Sequence, residues 1–356
     1  MILDKKTILV TGGTGSMGKT FTRRVLSGEF GLPKKLIIFS RDEAKQHYMR
    51  VEYLNRKSQT DEVIYRNFQN VLEFRIGDVR NYRDVIGALQ GVDIVVNAAA
   101  LKQVPTCEYF PHQAIMTNCA GAHNIIEAIT HHRLPVQKVI GVSTDKACKP
   151  VNVMGMTKAI QERLFIAANI QAPQTQFLCV RYGNVLASRG SVIPLFHEQI
   201  ASGGPVTITH ESMTRFLLSL DQAVDTVMAA LTNGRAGETF IPIVASSNMM
   251  NVAKALIGER KIKIEISGIR PGEKMHESLI SEEEALRTYR NGSYYAIQPM
   301  LPELMADTVA RPRDLIGEYS SEHAVSSLQE TTQLLAKFGL LVNQQQAGGE
   351  LHEMIR

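Results

Sequence analysis

The chain has 356 residues, of which 44% are hydrophobic and 21% are charged, and these values exclude a disordered or fibrous protein. This length is enough to bury a large core and favours two domains or one large α/β domain. The formal net charge is +4, but the cations are dispersed among acidic residues, so we expect a small anionic ligand such as a nucleotide diphosphate and no nucleic acid.

The cysteines and histidines show no metal-ligand or disulfide pattern. None of the four cysteines forms a Cys-x-x-Cys pair, so we expect free thiols in a reducing, cytoplasmic compartment and no metal. No apolar stretch approaches the ~18 residues of a membrane span, and the first residues do not resemble a signal peptide. A membrane partner is therefore not expected.

Strand and helix patterns alternate along the first half of the chain. Buried strands are predicted at residues 7–10, 35–39, 72–76, 92–96, 138–142 and 176–180, and helices at residues 19–26, 112–131 and 153–169. The apolar runs lack a period of two, as in strands that are buried on both faces. The pattern predicts an α/β fold with a doubly wound, parallel Rossmann sheet.

The alternation ends after Asn184, where proline and glycine become more frequent. A helix at 220–233 and a strand at 238–243 are compatible with a return to the sheet, and the rest suggests a smaller, mixed α/β domain. We therefore expect residues 1–185 and 213–245 to form the cofactor domain, residues 186–212 and 246–340 to bind substrate, and residues 341–356 to form a flexible tail.

A glycine-rich turn follows the first predicted strand and opens the first helix. Its glycines have the spacing Gly-x-x-Gly-x-x-Gly, which differs by one residue from the dinucleotide fingerprint. Glycine lets the backbone approach a phosphate, and the helix N-terminus offers unpaired N–H groups. We expect the turn to bind a dinucleotide through Gly12, Thr14, Gly15, Ser16, Met17 and Gly18.

The residues after the second strand bear on the choice of cofactor. Ser40, Arg41 and Lys45 suit the 2′-phosphate of NADP, whereas Asp42 keeps NAD as the second choice. The alternative is a solvated loop without a ligand.

The turns after the third and fourth strands complete the expected cofactor site. Asp78 and Val79 suit the adenine edge, and the small residues Ala98, Ala99 and Ala100 allow the backbone to pass close to the cofactor. Either group, taken alone, is also compatible with simple packing.

The fifth strand ends in Val142-Ser-Thr-Asp-Lys-Ala147, and a helix with Met154 and Lys158 follows. This arrangement resembles the extended short-chain dehydrogenases, which have Ser/Thr followed by Tyr-x-x-x-Lys on one helix face. Lys158 matches the family lysine, and the resemblance implies that it binds the nicotinamide ribose. Met154 occupies the tyrosine position, so the usual titratable base is absent.

Further motifs narrow the resemblance, which covers nearly the whole chain to about residue 320. The chain is similar to the UDP-N-acetylglucosamine 4,6-dehydratases of capsule, O-antigen and protein-glycan synthesis, a group with a branch that carries methionine at the tyrosine position. The motifs lie at residues 97–105, 143–147, 152–155, 181–185, 188–194, 213–216 and 270–274.

The resemblance implies an internal hydride transfer through NADP, with loss of water between C5 and C6 of the sugar and inversion at C5. Asp145 is the implied acid and Lys146 the implied base. Lys146 must be neutral to accept a proton, so we expect Lys158 and the nicotinamide to lower its pKa. Thr144, Lys146 or water is left to take the O4 proton.

The resemblance also implies ligand contacts and self-association. Residues near the cofactor are Lys102, Asn118, Lys158, Tyr182 and Asn184. Residues that bind a UDP-sugar, first of all UDP-N-acetylglucosamine, are Lys102, Asn184, Arg215, Arg270 and Glu273. The helices near residues 113–131 and 154–170 are expected to form a homo-oligomer, as a dimer or a hexamer.

Two alternatives remain open. A UDP-sugar C4-epimerase of the same fold would need no acid for elimination, so it makes no demand on Asp145. A non-catalytic protein that senses NADP is suggested by Met154, although Asp145, Lys146 and Lys158 argue against it.

Overall fold

The computed structural model describes residues 1–55, 62–186, 191–305 and 314–342. Its strands are β1 (Thr7–Thr11), β2 (Lys35–Ser40), β3 (Leu72–Ile76), β4 (Ile94–Asn97), β5 (Lys138–Thr144), β6 (Gln176–Tyr182), β7 (Val206–Ile208), β8 (Thr214–Phe216), β9 (Thr239–Pro242), β10 (Ser246–Asn248), β11 (Ile264–Ile266), β12 (Ser278–Ile280), β13 (Thr288–Asn291), β14 (Tyr294–Ile297), β15 (Tyr319–Ser320) and β16 (Val325–Ser326).

Fourteen α-helices lie within the described residues, together with a π-helix at Ile115–Ala120 and a 3₁₀-helix at Asp145–Ala147. The α-helices are α1 (Ser16–Leu26), α2 (Glu43–Leu54), α3 (Glu62–Val71), α4 (Tyr82–Leu89), α5 (Val104–Tyr109), α6 (Pro111–Ala114), α7 (Gly121–His131), α8 (Val153–Gln171), α9 (Val192–Ala201), α10 (Leu220–Asn233), α11 (Met249–Ile257), α12 (Glu282–Ala285), α13 (Pro302–Met305) and α14 (Leu328–Lys337).

A nine-stranded sheet organises the fold, in the order β13-β14-β9-β6-β5-β4-β1-β2-β3. The seven strands from β9 to β3 are parallel, whereas β13 and β14 form an antiparallel hairpin at one edge. The order in which successive strands are added to the sheet reverses between β1 and β4. At such a switch point the carboxyl ends of the strands form a crevice that can bind a ligand. The α/β fold and the doubly wound sheet are therefore confirmed.

Helices cover both faces of the sheet, as the runs without alternation predicted. On β1, the side chains of Ile8 and Val10 lie on one face of the sheet, in the same cluster as residues of α1 and α10. The side chain of Leu9 lies on the other face, in the same cluster as residues of α4, α7 and α8. All three side chains are at most 1% exposed. Burial of such side chains contributes about 1.5–3 kcal/mol each.

The second half of the chain contains a smaller α/β assembly, which we call the second lobe (residues 191–216, 246–281 and 319–342). Its core is formed by α9, α11 and α14, and three small sheets surround it. The predicted helix at 220–233 and the return of the strand near 238–243 to the sheet are confirmed by α10 and β9.

Two features of the sheet differ from expectation. Helices α2 and α3 between β2 and β3 were not predicted. The hairpin β13–β14, which was not predicted, lies within residues 246–340 of the sequence and pairs with β9 of the large sheet. The domain boundaries as a whole remain a prediction. Residues 343–356, most of the predicted tail, lie outside the described residues.

No helix within the described ranges is both long and apolar enough to cross a membrane.

Candidate active site

The glycine-rich turn joins β1 to α1 beneath the loop that follows β4. Gly12 has φ of +65°, and a side chain there would place Cβ 2.8 Å from the backbone of Ala99. Gly15 is the N-cap of α1 and brings no capping side chain, so the first N–H groups of the helix remain available to an anion. This close approach of two backbones fits a dinucleotide pyrophosphate, and Thr14, Ser16, Met17 and Gly18 line the same turn.

The end of β2 places Ser40 and Arg41 at the same edge as the glycine-rich turn. The Thr14 hydroxyl lies 3.4 Å from the hydroxyl of Ser40. Arg41 is half-exposed, and its Nη1 lies 3.6 Å from Oδ2 of Asp78. Arg41 and Asp78, predicted from separate turns, are thus brought together.

Asp42 is engaged in the helix that follows. Its carboxylate accepts a bond of 2.9 Å from the backbone N–H of Lys45 and lies 2.5 Å from Nζ of the same residue. This carboxylate therefore caps α2. The Lys45 ammonium is occupied by the same ion pair.

The loop after β4 is tied down by two polar side chains. Thr11 donates to Asn97 at 2.6 Å and accepts a bond from the N–H of Ala99. Asn118, in the π-helix, accepts from the N–H of Leu101 and donates to its carbonyl. These bonds fix Ala98, Ala99 and Ala100 over the glycine-rich turn, and Lys102 follows them, where burial lowers its pKa.

Val79 is buried, and its carbonyl accepts a bond from Asn124 on α7. Asn118 also donates to the Thr157 hydroxyl at 2.9 Å, which connects the π-helix to α8.

The carboxyl end of β5 carries three predicted residues in direct contact. Thr144 donates to Oδ1 of Asp145 at 2.8 Å, and Nζ of Lys146 lies 3.0 Å from the same oxygen. Asp145 is fully buried, and its other oxygen, Oδ2, has no hydrogen-bond partner among the described residues. A buried carboxylate oxygen without a donor is costly, and the ion pair with Lys146 compensates the charge of this carboxylate.

Lys146 also contacts residues from more distant parts of the chain. Its Nζ lies 3.3 Å from the side-chain oxygen of Asn184 and 3.4 Å from Oε1 of Glu277. The sequence analysis did not identify Glu277, although it lies three residues after Lys274 at the end of a selected motif. The site therefore contains two buried carboxylates around one lysine.

The expected fall in the pKa of Lys146 is not found. Burial by itself would lower that pKa, but the carboxylates of Asp145 and Glu277 outweigh burial and raise it above the ordinary value. Burial does lower the pKa of Lys158, to about 8. The two lysines differ because Lys146 faces two anions while Lys158 donates to neutral groups.

Lys158 lies beneath the end of β5. Its Nζ donates to the carbonyl of Val142 at 2.5 Å and to the side chain of Gln161 at 2.6 Å. Met154, one helical turn earlier, is 5% exposed and packs in a small apolar cluster with Cys107 and Ala114. Met154 thus contributes packing and no proton-transfer group at the tyrosine position.

Residues expected to bind the nucleotide sugar lie in two groups. Arg215, 7% exposed, donates to the carbonyls of Thr214, Lys274 and Met275. Arg270 is exposed, and its N–H donates to the carboxylate of Glu273 at 3.3 Å.

Asn184 and Tyr182 are placed by β6. Asn184 lines a small cavity with Ser191 and Arg215. Tyr182 is paired in register with Thr144 and buried, and burial raises the pKa of its hydroxyl. Residues 188–190 of the predicted motif at 188–194 lie outside the described residues.

The second lobe is attached to the site by Asn152. Its side chain caps α8 by accepting from the N–H of Gly155 at 2.8 Å and donates to the carbonyl of Gly272 at 2.8 Å. A Cβ on Gly155 would lie 2.1 Å from the carbonyl oxygen of Lys146, so only glycine fits there. Helix α8, the end of β5 and the Arg270–Glu273 turn are therefore held together.

The doubly wound parallel sheet and the glycine-rich turn at its switch point define a Rossmann-type α/β protein. Residues 8–299 match the family described as "Polysaccharide biosynthesis protein", and the chain belongs to that family. A curated relative from Rickettsia prowazekii (strain Madrid E), named UDP-glucose 4-epimerase, is 48% identical over 302 residues, covering 83% of this chain and 84% of the relative.

Two solved structures resemble the chain. Pen from Bacillus thuringiensis has a TM-score of 0.84 and 34% identity, covering 96% of this chain and 100% of Pen. The dTDP-glucose 4,6-dehydratase DesIV from Streptomyces venezuelae, solved with NAD and TYD bound, has a TM-score of 0.63 and 19% identity, covering 76% of this chain and 86% of DesIV. The likeness to DesIV shows the fold alone.

Proposed function

We propose that the protein is an enzyme that oxidises C4 of a hexose carried on UDP and then reduces the sugar again. The observation that carries this proposal is the group of Thr144, Asp145 and Lys146 at the carboxyl end of β5, next to buried Lys158. A nicotinamide dinucleotide bound at the glycine-rich turn would supply the hydride acceptor. The chain's own residues then bind the sugar and move its protons.

For the cofactor we propose NADP, with NAD as the second choice. Asp42, the acidic residue that would favour NAD, has its carboxylate occupied as the N-cap of α2 and in the ion pair with Lys45. Arg41 is half-exposed at the same edge and could form a fork on a 2′-phosphate. DesIV, with which the chain shares its fold, was solved with NAD bound.

The comparisons favour C4-epimerisation over the dehydration that the sequence analysis placed first. The curated relative from Rickettsia prowazekii carries the name UDP-glucose 4-epimerase at 48% identity. An epimerase needs a group that removes and restores the O4 proton, and Met154 cannot do so. Thr144 and Lys146, which both contact the carboxylate of Asp145, are the candidates for this task. UDP-glucose is the first substrate to test for this reaction.

One observation favours 4,6-dehydration as the second candidate. Elimination of water needs an acid for O6 and a base for the C5 proton, and the resemblance assigns these roles to Asp145 and Lys146, which lie side by side in a buried site. Because the pKa of Lys146 is raised, the pair must first pass the proton from the lysine to the carboxylate. Oδ2 of the fully buried Asp145 has no hydrogen-bond partner among the described residues, so this oxygen could accept a bond from the sugar only after the site opens. UDP-N-acetylglucosamine is the first substrate to test for dehydration, with a C5-inverted product expected from the resemblance.

We also propose that a second copy covers α8. Met156, Ile160 and Ile170 on this helix are 46%, 50% and 46% exposed, and Ile115 of the π-helix is 47% exposed. Apolar side chains grouped in this way favour association of copies through these helices. Sedimentation of the purified protein at several concentrations measures the oligomeric state, and a monomer throughout would contradict the proposal.

The function is tested by incubation of the purified protein, with added NADP or NAD, with UDP-glucose and separately with UDP-N-acetylglucosamine in D₂O. A product of unchanged formula and inverted C4 supports the epimerase. Loss of one water with deuterium at C5 supports the dehydratase, and the ring proton couplings report whether C5 is inverted. If neither sugar changes although the cofactor binds, the proposal for these substrates is wrong.

A further inference from the structure

Glu277 occupies an unusual position for a charged residue. It is 2% exposed, and its Oε1 lies 3.4 Å from Nζ of Lys146. Its Oε2 has no hydrogen-bond partner among the described residues, although Nζ of Lys274 is 3.9 Å away. Burying a carboxylate is expensive unless a cation compensates it, and Lys146 is the nearest such cation.

The backbone around Glu277 is firmly held. Its N–H donates to the Ser321 hydroxyl at 3.0 Å, and its carbonyl accepts from the N–H of Ser321 at 2.8 Å. Arg215 donates hydrogen bonds to the carbonyls of Lys274 and Met275 in the preceding turn. The carboxylate is therefore placed by the second lobe, whereas Lys146 is placed by β5.

The charges around Lys146 come from three parts of the fold. Asp145 contributes one carboxylate from the 3₁₀-helix, and Glu277 contributes a second from the segment before β12. Arg215 on β8 opposes both, since its charge lowers the pKa of Lys146. Asn184 adds a neutral hydrogen-bond acceptor at 3.3 Å. Two anions against one cation leave the lysine in a site that favours its protonated form.

We propose that Glu277 is a positioning residue that acts through Lys146, fixing its ammonium at the end of β5 and setting the pH at which Lys146 gives up its proton. This inference rests on the proposed function only for its consequence in catalysis. If Lys146 is a base, Glu277 delays its activation until the pH rises or a ligand rearranges the pair. If Lys146 is a proton donor, Glu277 keeps its amine protonated.

The test measures the proton on Lys146 directly and requires no substrate. The full-length protein is labelled with trace acetic anhydride over a range of pH, and mass spectrometry follows acetylation of Lys146, because only the neutral amine reacts. Lys149 is an internal reference, since it pairs with Glu282 and Glu318 and not with Glu277.

In Glu277→Gln we expect the midpoint for Lys146 to fall by roughly one to two pH units, because one of two opposing charges is removed. Glu277→Asp retains the negative charge at a greater distance from Lys146, so the midpoint for Lys146 should fall by less in this variant. Glu322→Gln removes a carboxylate that contacts only His276 and His323 among the ion pairs of the described chain, and should leave the midpoint unchanged.

An unchanged midpoint in Glu277→Gln, with Lys149 behaving as in the parent, would overturn the proposal. If Glu277→Gln does not fold, Glu277→Asp replaces it in the test. A lower midpoint for Lys146 in Glu277→Asp supports the proposal, and an unchanged midpoint overturns it. A shift in labelling without turnover of any UDP-sugar would support the role of Glu277 while the proposed function fails. With turnover, the limb of the pH–rate profile that belongs to Lys146 should move to lower pH in Glu277→Gln.

Discussion

The side-chain amide of Asn118 donates to the hydroxyl of Thr157 at 2.9 Å, and both residues are buried. Asn118 lies in the π-helix and Thr157 lies next to Lys158 on α8. The same side chain accepts a hydrogen bond from the N–H of Leu101 and donates one to the carbonyl of Leu101. One asparagine thereby connects the loop over the glycine-rich turn to the helix that carries Lys158.

Replacing Asn118 by Ala should lower the free energy of unfolding by about 1–3 kcal/mol, because it removes the bonds to the partly buried backbone of Leu101 and to the buried hydroxyl of Thr157. Urea unfolding followed by circular dichroism measures the change. Asn124→Ala on α7 is the control, since it removes one bond to the carbonyl of Val79 and should cost less. Equal losses in the two variants would argue against a special role for Asn118.

Lys158→Met should stabilise the protein at pH 7 by roughly 1–3 kcal/mol, because a buried ammonium is removed. The pKa of Lys158 is about 8, against an ordinary value of 10.5, so the unfolded chain binds more protons between these values. Stability contributed by this site therefore rises with pH from about 8 to 10.5 and is lowest below pH 8. In the variant this rise should disappear.

Urea unfolding of parent and variant at pH 7 and pH 10 tests the expectation for Lys158→Met. The carbonyl of Val142 keeps a bond from Gln161 at 3.3 Å in the variant, so no new orphan acceptor arises there. Cofactor binding should weaken at the same time. A variant that is less stable than the parent at pH 7 would contradict this account.

Asp145→Asn separates the two candidate reactions. If the protein is a dehydratase, loss of water should slow on the order of 10²–10⁴-fold, because the acid for O6 is removed. If it is a C4-epimerase, interconversion at C4 should persist. Proton NMR of the products in D₂O distinguishes the two, with Glu322→Gln as the control. Undiminished dehydration in Asp145→Asn would show that another residue is the acid.

Glu284→Gln should destabilise the protein by about 3–5 kcal/mol, because it leaves the buried charge of Arg181 with one partner fewer. Arg181 lies 2.7 Å from Glu284 and 2.6 Å from Glu162, and all three side chains are nearly buried. Thermal unfolding at pH 7 measures the loss. Glu283→Gln, at an exposed neighbouring position, is the matched control.

The same ion pair predicts sensitivity to acid. Burial would raise the pKa of Glu284, but Arg181 outweighs burial and lowers it to about 2 from 4.5. The stability contributed by this carboxylate is therefore complete above pH 4.5 and is lost as the pH falls toward 2. The parent should lose more stability than Glu284→Gln over this interval, and parallel losses would contradict the assignment.

Arg41→Ala should weaken the binding of NADPH by about tenfold or more and change that of NADH little, because only the 2′-phosphate needs the guanidinium. Fluorescence titration with the two reduced cofactors measures both constants. Arg83→Ala removes another exposed arginine near the start of α4 and serves as the control. Equal loss for both cofactors would assign Arg41 a structural role through Asp78.

The sequence was sufficient for much of the sheet because the buried strands are continuous apolar runs. The bounds of β3 agree with the predicted ones, and β5 and β6 extend by two residues into the polar residues of the site. The hairpin β13–β14 was not predicted, because a local pattern does not reveal which sheet edge accepts it.

The candidate site was predictable only where residues are neighbours in sequence or in a motif. Thr144, Asp145 and Lys146 were found together and do lie together. Glu277 was missed because its contact with Lys146 depends on how the second lobe folds back onto β5. The pKa of Lys146 was expected to fall because the sequence analysis weighed only the cations near it, whereas the carboxylates of Asp145 and, from the second lobe, Glu277 raise it.

The position of β9 in the sheet has a consequence for synthesis of the protein. On the ribosome, β6 emerges before residues 191–216 and α10, and its outer edge receives β9 only after them. The hairpin β13–β14 must then follow to complete that side. A nascent chain thus carries an open, apolar strand edge over a long stretch of translation, which is the interval in which aggregation and chaperone binding compete with folding.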